Sequence, residues 1–223
     1  MGRTRASYDV IARDYKDRFE HELDEKPFDR EFLGRFAENL PAGSVVVDLG
    51  CGPGQIGRHL SGLGLGVIGV DLSLEMLRQN PAGAATAGLA QADMRTLPFR
   101  NASVAGVVAF YSLIHIKPEE LADTVAETGR VVAPGGWAGF AAHATPPPER
   151  VATAESLPGG GIRITEMLSQ PVDLDFYFYD LGRLGDVLHA GSFEIVWEHE
   201  RDAYPDGVEA QTRRAYILAR RTA

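Results

Sequence analysis

At 223 residues the chain suits one large domain rather than two small ones. Its 44% hydrophobic and 24% charged residues are those of an ordinary folded chain, and its single cysteine, Cys51, rules out an intrachain disulfide. The net charge of −9, with Lys16, Lys26 and Lys117 as the only lysines, argues against a nucleic acid partner, and the lack of an 18-residue apolar run or apolar leader predicts a cytoplasmic chain with no membrane partner.

In chain order, apolar and aromatic residues at Tyr8, Ile11, Ala12, Tyr15 and Phe19 recur at helical spacing and predict an amphipathic helix over Ser7–Leu23. Pro27 opens a second, Phe28–Leu40, with Phe28, Phe32 and Phe36 on one face. The β-branched run Val45–Val47 reads as a strand buried on both sides. A helix over Gly54–Leu63 and a strand over Gly66–Val70 follow, then a helix capped by Ser73. The Ala/Gly-rich stretch Pro81–Ala92 holds a third short strand. Ser103–Phe110 is a clear buried strand, Pro118 opens the next helix, and Gly135-Gly136 turns into a strand over Trp137–Ala142. Alternation of this kind predicts a doubly wound α/β sheet with helices on both faces.

The last third departs from that rhythm. Pro146–Pro148 and Gly159–Gly161 bracket an irregular insertion, and Val172–Tyr179 alternates like a half-exposed strand. A helix over Leu181–Ala190 leads to two strands, Phe193–Glu200 and Arg214–Arg220, joined as a hairpin. Arg213, Arg214, Arg220 and Arg221, interleaved with apolar residues, read as a solvated strand flank.

The end of the first strand carries Asp48, Gly50, Gly52 and Gly54. Glycines here let the backbone turn tightly against a ligand, and the following helix presents its N-terminus. Gly52-Pro-Gly54-Gln-Ile-Gly57 also satisfies the dinucleotide pattern, with Asp71 about 20 residues further on. A nicotinamide-dependent reductase is therefore an alternative. Asp48 tells against it, because a carboxylate beside the turn repels a pyrophosphate and attracts a cation.

Four segments in order, D-L-G-C-G-P-G from Asp48, G-V-D-L-S from Gly69, A-D-M-R-T-L-P-F from Ala92 and V-A-P-G-G from Val132, resemble the class I S-adenosylmethionine-dependent methyltransferases. The nearest branch is the small-molecule, type 11/25 methyltransferase-domain group. The resemblance runs from about Tyr8 to the C-terminus. It implies a Rossmann-like, mostly parallel seven-stranded sheet closed by a C-terminal antiparallel hairpin. It also implies one domain over 1–223, with 1–40 as cap helices and 145–179 as a substrate-side insertion.

The resemblance assigns S-adenosyl-L-methionine as cofactor and S-adenosyl-L-homocysteine as product. Asp71 would accept from the ribose hydroxyls, Leu72 and Met76 pack on the adenine, Asp93 read its amine, and Met94 offer a backbone N–H. Asp48 would reach the methionine ammonium, directly or through water, with room given by Gly50 and Gly52 and the Phe110 carbonyl as second partner. Tyr15 would bond the carboxylate or else simply pack against Tyr8. His115 is the candidate general base, with Tyr111 and His143 as weaker cleft residues. His21, His59, His189 and His199 read as surface groups, and no cluster has metal-ligand spacing. Phe28, Phe32 and Phe176–Tyr179 would supply an aromatic acceptor pocket. The implied reaction is methyl transfer to O or N of a small molecule, in specialised metabolism, by a monomer or homodimer. A protein that binds the cofactor without catalysis is the remaining alternative.

Overall fold

The computed structural model describes residues 2–80 and 86–222. Helices α1 (Gly2–Phe19) and α2 (Pro27–Glu38) precede strand β1 (Val45–Leu49). Then α3 (Gln55–Gly62), β2 (Gly66–Asp71), α4 (Leu74–Gln79), β3 (Thr86–Gln91), β4 (Val104–Phe110), α5 (Leu121–Val131) and β5 (Val132–His143) alternate. The short α6 (Pro148–Val151) leads into β6 (Glu155–Leu157), β7 (Gly161–Met167) and β8 (Gln170–Phe176), and α7 (Leu181–Ala190), β9 (Phe193–Arg201) and β10 (Arg214–Arg221) complete the chain. Residues 81–85 of the stretch expected to hold the third strand lie outside the described residues.

Seven strands form one sheet in the order β3-β2-β1-β4-β5-β10-β9. The chain winds outward in both directions from the β1/β4 pair, so a crevice opens at their carboxyl ends, where open α/β sheets bind ligands. Strand β10 runs antiparallel to both its neighbours. Alternation along β1 sends Val47 and Leu49 into a core shared with α5 and α7, and Val46 into one shared with α2 and α3. Asp48 therefore points toward the α2/α3 side. Likewise His143 and Arg214, cross-strand partners at the ends of β5 and β10, fall on the face opposite Ala142 and Ala215. No helix among the described residues is long and apolar enough to cross a membrane.

Several expectations need correction. The first helix starts at Gly2 and stops at Phe19, because Leu23 leaves it in a 3-10 turn (Glu22–Glu25) to pack with Phe32 and Phe36. Strand β5 starts at Val132, and Pro134–Gly136 is accommodated by a register shift between Val104 and Gly106 of its partner. The insertion is ordered as a three-stranded antiparallel sheet, β6-β7-β8. Its tight turn places Leu168 and Ser169 at φ +53° and +60°, positions usually given to Asn or Gly, so the hairpin had no residue signature.

The inner face of this small sheet (Ile162, Ile164, Val172, Leu174) packs on Ile11 and Ala12 of α1 and Met76 of α4. Polar bonds tie the same helix down. Arg3 pairs with Asp173 and Asp175, the Ser7 hydroxyl takes the Asp173 N–H, and Asp9 accepts from the Ser73 hydroxyl. The helix so held roofs the crevice.

Candidate functional site

A cavity of about 270 Å³ lies between the sheet's carboxyl edge and α1. Its floor is Gly50, Cys51 and Gly52, at the end of β1. The backbone here is held by function-neutral chemistry: the Gly50 and Cys51 N–H groups both donate to the Val70 carbonyl, at 2.7 and 3.0 Å. Gly50 and Gly52 adopt φ +71° and +51°, and Gly54, at +86°, caps α3. These are conformations that favour glycine.

Asp71 ends β2 on the cavity wall. Its Oδ2 accepts the Gly52 N–H at 2.9 Å and its Oδ1 the Ser73 N–H at 2.8 Å, so it ties the floor to the start of α4. Burial raises its carboxyl above the ordinary range, and those backbone donors oppose the rise. Leu72 and Met76 line the same wall, and the Ser73 hydroxyl caps α4 by accepting the Met76 N–H. Asp93 and Met94 form the next stretch. Burial pushes the Asp93 carboxyl up, but hydrogen bonds from the Arg95 guanidinium and N–H outweigh it and hold the group below its usual range.

Asp48 lies behind the floor and off the cavity wall, with 1% of its surface exposed and Oδ2 without a hydrogen-bond partner. Burial, then repulsion from Asp71, raises its carboxyl to about 7, against one backbone N–H from Gly57. Between about pH 4 and 7 the group is neutral in the fold and ionised in the unfolded chain, so stability falls as pH rises through that window. Asp48→Asn should abolish this slope, worth on the order of 4 kcal/mol by pH 8. Denaturant midpoints of the ligand-free protein at pH 4.5 and 8 check it, and equal slopes for both proteins would refute it.

Tyr8 and Tyr15 descend from the roof, ring edge to face at 6.0 Å. Burial raises both phenols well above the ordinary range, so each hydroxyl is a donor. The Tyr15 hydroxyl meets no protein partner among the described residues, and its ring approaches Gly52. Tyr8 donates to His115 Nε2 at 2.7 Å, while His115 Nδ1 donates to the Asp175 carbonyl at 3.0 Å. Both ring nitrogens of the expected base are thus engaged. Burial also depresses its pKa to about 4. His115 anchors the roof.

Phe110 and Tyr111, at the end of β4, carry the wall onward. Tyr111 takes φ +56°, held by its N–H to the Ala141 carbonyl and by its hydroxyl, which meets Tyr216 at 2.6 Å and Asp29 at 3.2 Å. Beyond it, Glu22, Lys26, His143, Glu209 and Arg214 line a polar end. The predicted aromatic pocket is corrected here: Phe28 and Phe32 pack with Trp197 and Tyr216, Tyr177 and Tyr179 enter the main core, and Phe176 alone of that set lines the cavity.

The polar end belongs to a buried ionic network that sequence reading missed. Asp29 accepts from Tyr216 and from Arg201 at 3.1 Å, Arg201 pairs with Glu209 at 2.6 Å, Glu209 with Arg214 at 3.2 Å, and Lys26 with Glu22 at 2.6 Å. Arg214, expected on a solvated flank, is 2% exposed because its neighbours on β5 and β9 cover it and Glu209 neutralises it. Lys26–Glu22 is a local pair, four positions apart, but the contact that centres the network, Tyr216 to Asp29, joins residues 187 positions apart and leaves no local pattern.

The site can take a cationic, nucleoside-bearing ligand. Two half-buried acids, Asp71 and Asp93, line it, and Tyr15 offers an unused donor. Ser112 on the wall has a buried hydroxyl with no protein partner.

Comparison with known proteins places the central strands in a known family and the fold among solved structures. The family described as methyltransferase domain matches residues 46–136. A malonyl-[acyl-carrier protein] O-methyltransferase of Pseudescherichia vulneris is 35% identical over 108 residues, 48% of this chain and 41% of that enzyme. A ubiquinone biosynthesis O-methyltransferase of Burkholderia multivorans is 31% identical over 103 residues, 44% of each. The match thus spans less than half the length of these curated relatives. The crystal structure of a Burkholderia thailandensis 1,6-didemethyltoxoflavin-N1-methyltransferase, with that compound and S-adenosylhomocysteine bound, superposes with a TM-score of 0.70 at 19% identity, covering all of this chain and 88% of that one. The fold is shared.

Proposed function

We propose, on the premise that residues 46–136 form the core of a class I S-adenosylmethionine-dependent methyltransferase domain, that the chain methylates O or N of a small-molecule acceptor. The observation that carries the reading is one continuous cavity with the glycine floor and two acids on one stretch of wall and a polar end suited to an acceptor on another. The domain comprises 1–223, with 1–40 as cap and 145–179 as the substrate-side insertion, and works in the cytoplasm, as monomer or homodimer, in specialised metabolism. Neither nucleic acid nor membrane is a partner: the charge of −9 opposes the first.

When bound, S-adenosylmethionine supplies an electrophilic methyl group on a sulfonium. Asp71 is placed to accept from the ribose hydroxyls, Leu72 and Met76 to cover the adenine, and Asp93 and Met94 to meet its polar edge. Tyr15 can donate to the carboxylate. Gly50, Gly52 and Phe110 bring main-chain atoms to the amino-acid part, with Asp48 behind the floor adding negative potential as it ionises above about pH 7. The roof excludes water and the walls fix the acceptor, a positioning effect able to supply about 7–11 kcal/mol.

Asp71 suits the ribose of either cofactor, and what disfavours a pyrophosphate, and with it a reductase, is Asp48, the acid behind the glycine floor. Titration calorimetry tests the whole reading. S-adenosylmethionine and S-adenosylhomocysteine should bind, and NAD(P) should not; tight NADPH binding with neither of the others would overturn it. Asp71→Ala, which also frees the Gly52 and Ser73 N–H groups, should weaken S-adenosylhomocysteine by about 10²-fold, roughly 3 kcal/mol.

A further inference from the structure

The polar end of the cavity contains a histidine that the fold orients and then leaves half unused. His143 ends β5, and its Nδ1 meets the Thr212 hydroxyl at 2.7 Å. Thr212 is itself 2% exposed, and its carbonyl accepts from Arg214 Nη1 at 2.7 Å. Arg214 Nη2 reaches the Ala210 carbonyl at 3.0 Å and Glu209 at 3.2 Å. The segment from Glu209 to Arg214 is thereby folded around one guanidinium, and the imidazole is clamped to it.

Two polar atoms are left over. His143 Nε2 has no protein hydrogen-bond partner among the described residues, and the ring lines the cavity. Arg214 Nε is buried without a partner, and Arg214 also lines the cavity. The two side chains are cross-strand neighbours, and the Tyr111 ring lies 5.1 Å from the imidazole and 5.2 Å from the guanidinium carbon. A lone pair or N–H on His143 thus awaits a ligand beside Phe110 and Tyr111, with the buried Arg214 guanidinium adding positive charge next to it. His115, by contrast, has neither ring nitrogen free.

We propose that His143 is the catalytic base for an acceptor hydroxyl of phenolic or enolic acidity, with Thr212 positioning its ring and Arg214 sharing the charge that builds on the acceptor oxygen. The inference rests on the methyltransferase reading above. The acceptor O–H proton passes to Nε2, the oxygen lone pair forms the new O–CH3 bond, and the C–S electron pair stays on sulfur, leaving a neutral thioether. The imidazolium then returns its proton to solvent. For this the Nδ1–H must donate to Thr212, which leaves the Nε2 lone pair free.

The surroundings select the acidity of the acceptor. Arg214 and Arg201 face His143 from the paired strands, Lys26 from the start of α2 and His115 from the wall, against the carboxylates of Glu209, Asp29 and Glu22. Burial, then Arg214 and Lys26, depress its pKa well below the usual range. The ring is neutral at physiological pH but a weak base. A base so depressed suits an acidic acceptor, and the Arg214 guanidinium on the neighbouring strand stabilises the anion that a phenol or enol leaves, which an aliphatic alcohol, a far weaker acid, does not form.

The test uses methyl-labelled S-adenosylmethionine with 4-nitrophenol, catechol and cyclohexane-1,3-dione, against cyclohexanol, benzylamine and benzoate. Turnover should be confined to the first three. His143→Gln should lower kcat/KM for catechol by about 10²–10⁴-fold with S-adenosylhomocysteine affinity within about twofold of wild type. The deficit should shrink with 4-nitrophenol at high pH, where the acceptor ionises unaided, and His143→Gly should be rescued by added imidazole. Thr212→Val should lower kcat by about tenfold at unchanged affinity. In the complex with S-adenosylhomocysteine, NMR of the His143 ring should show the Nδ1–H tautomer from pH 6 to 8.

Preference for benzoate or benzylamine, no turnover of any phenol or enol, or full catechol activity in His143→Gln would each overturn the proposal while leaving cofactor binding intact. Failure of wild type to bind S-adenosylhomocysteine would instead sink the underlying reading. His143→Asn, kept in parallel, separates a folding defect from a chemical one, because a folded variant retains that affinity.

Discussion

Gly50→Ala should weaken binding of S-adenosylhomocysteine by at least about tenfold and cost the protein about 2–5 kcal/mol of stability. Two independent effects add. At φ +71° an alanine pays about 1–2 kcal/mol of backbone strain. Its Cβ would also stand 2.3 Å from the Ser112 Cβ, so β1 and the segment after β4 must separate, an overpacking cost of about 1–3 kcal/mol. That separation moves the floor against the wall across which the ligand is held. Affinity should fall by at least about tenfold, roughly 1.4 kcal/mol. Ser112→Gly in the same chain removes the clashing atom and leaves the strain, so the double variant should regain the second part only. Calorimetry and denaturant unfolding of the three variants check the partition; a Gly50→Ala protein with wild-type stability and affinity would refute it.

Asp29→Ala should be the most destabilising change at the polar end, by about 3–5 kcal/mol. Asp29 is fully buried and serves three donors, the hydroxyls of Tyr216 and Tyr111 and the guanidinium of Arg201. Burial pushes its carboxyl up, opposed first by the Tyr216 hydrogen bond and then by Arg201 and Lys26. Alanine leaves Arg201 with Glu209 as its one remaining carboxylate and returns no hydrogen bond to either phenol. Tyr111 loses one of its two hydroxyl partners and keeps Tyr216 and the Ala141 carbonyl, so the cavity wall beside it loosens rather than moves. Asp29→Asn keeps an acceptor oxygen and should lose less. Equilibrium unfolding at pH 7 reads both losses, and a cost below about 1 kcal/mol for Asp29→Ala would show that the network is dispensable.

What the sequence disclosed was what local chemistry dictates. Ser73 caps α4, Pro27 opens α2, Leu181–Ala190 is a helix with the predicted bounds, and the glycines after Asp48 make the floor. Each is decided within a few residues. The polar end is decided otherwise. Arg214 is buried because Glu209 and two strands surround it, and nothing in R-R-A-Y-I-L distinguishes it from Arg213, which is half exposed. Similarly, His115 and His143 follow strands of similar composition, yet one is consumed by Tyr8 and Asp175 and the other keeps a nitrogen free. Those outcomes depend on partners 60 to 107 positions away. The hairpin at Leu168-Ser169 was hidden for a different reason: packing of its inner face on α1 imposes a turn that its residues do not advertise.

The first helix, finally, bears on the tempo of turnover. Because α1 lies across the cavity and is fastened at Arg3, Ser7, Tyr8 and Asp9, opening the cavity on the α1 side requires those ties to part. Its ion pair at Arg3 is half exposed and weakened by salt, whereas the Tyr8–His115 bond is sheltered from it. That side of the cavity therefore has a salt-sensitive latch near the helix start and a salt-insensitive one a few residues on.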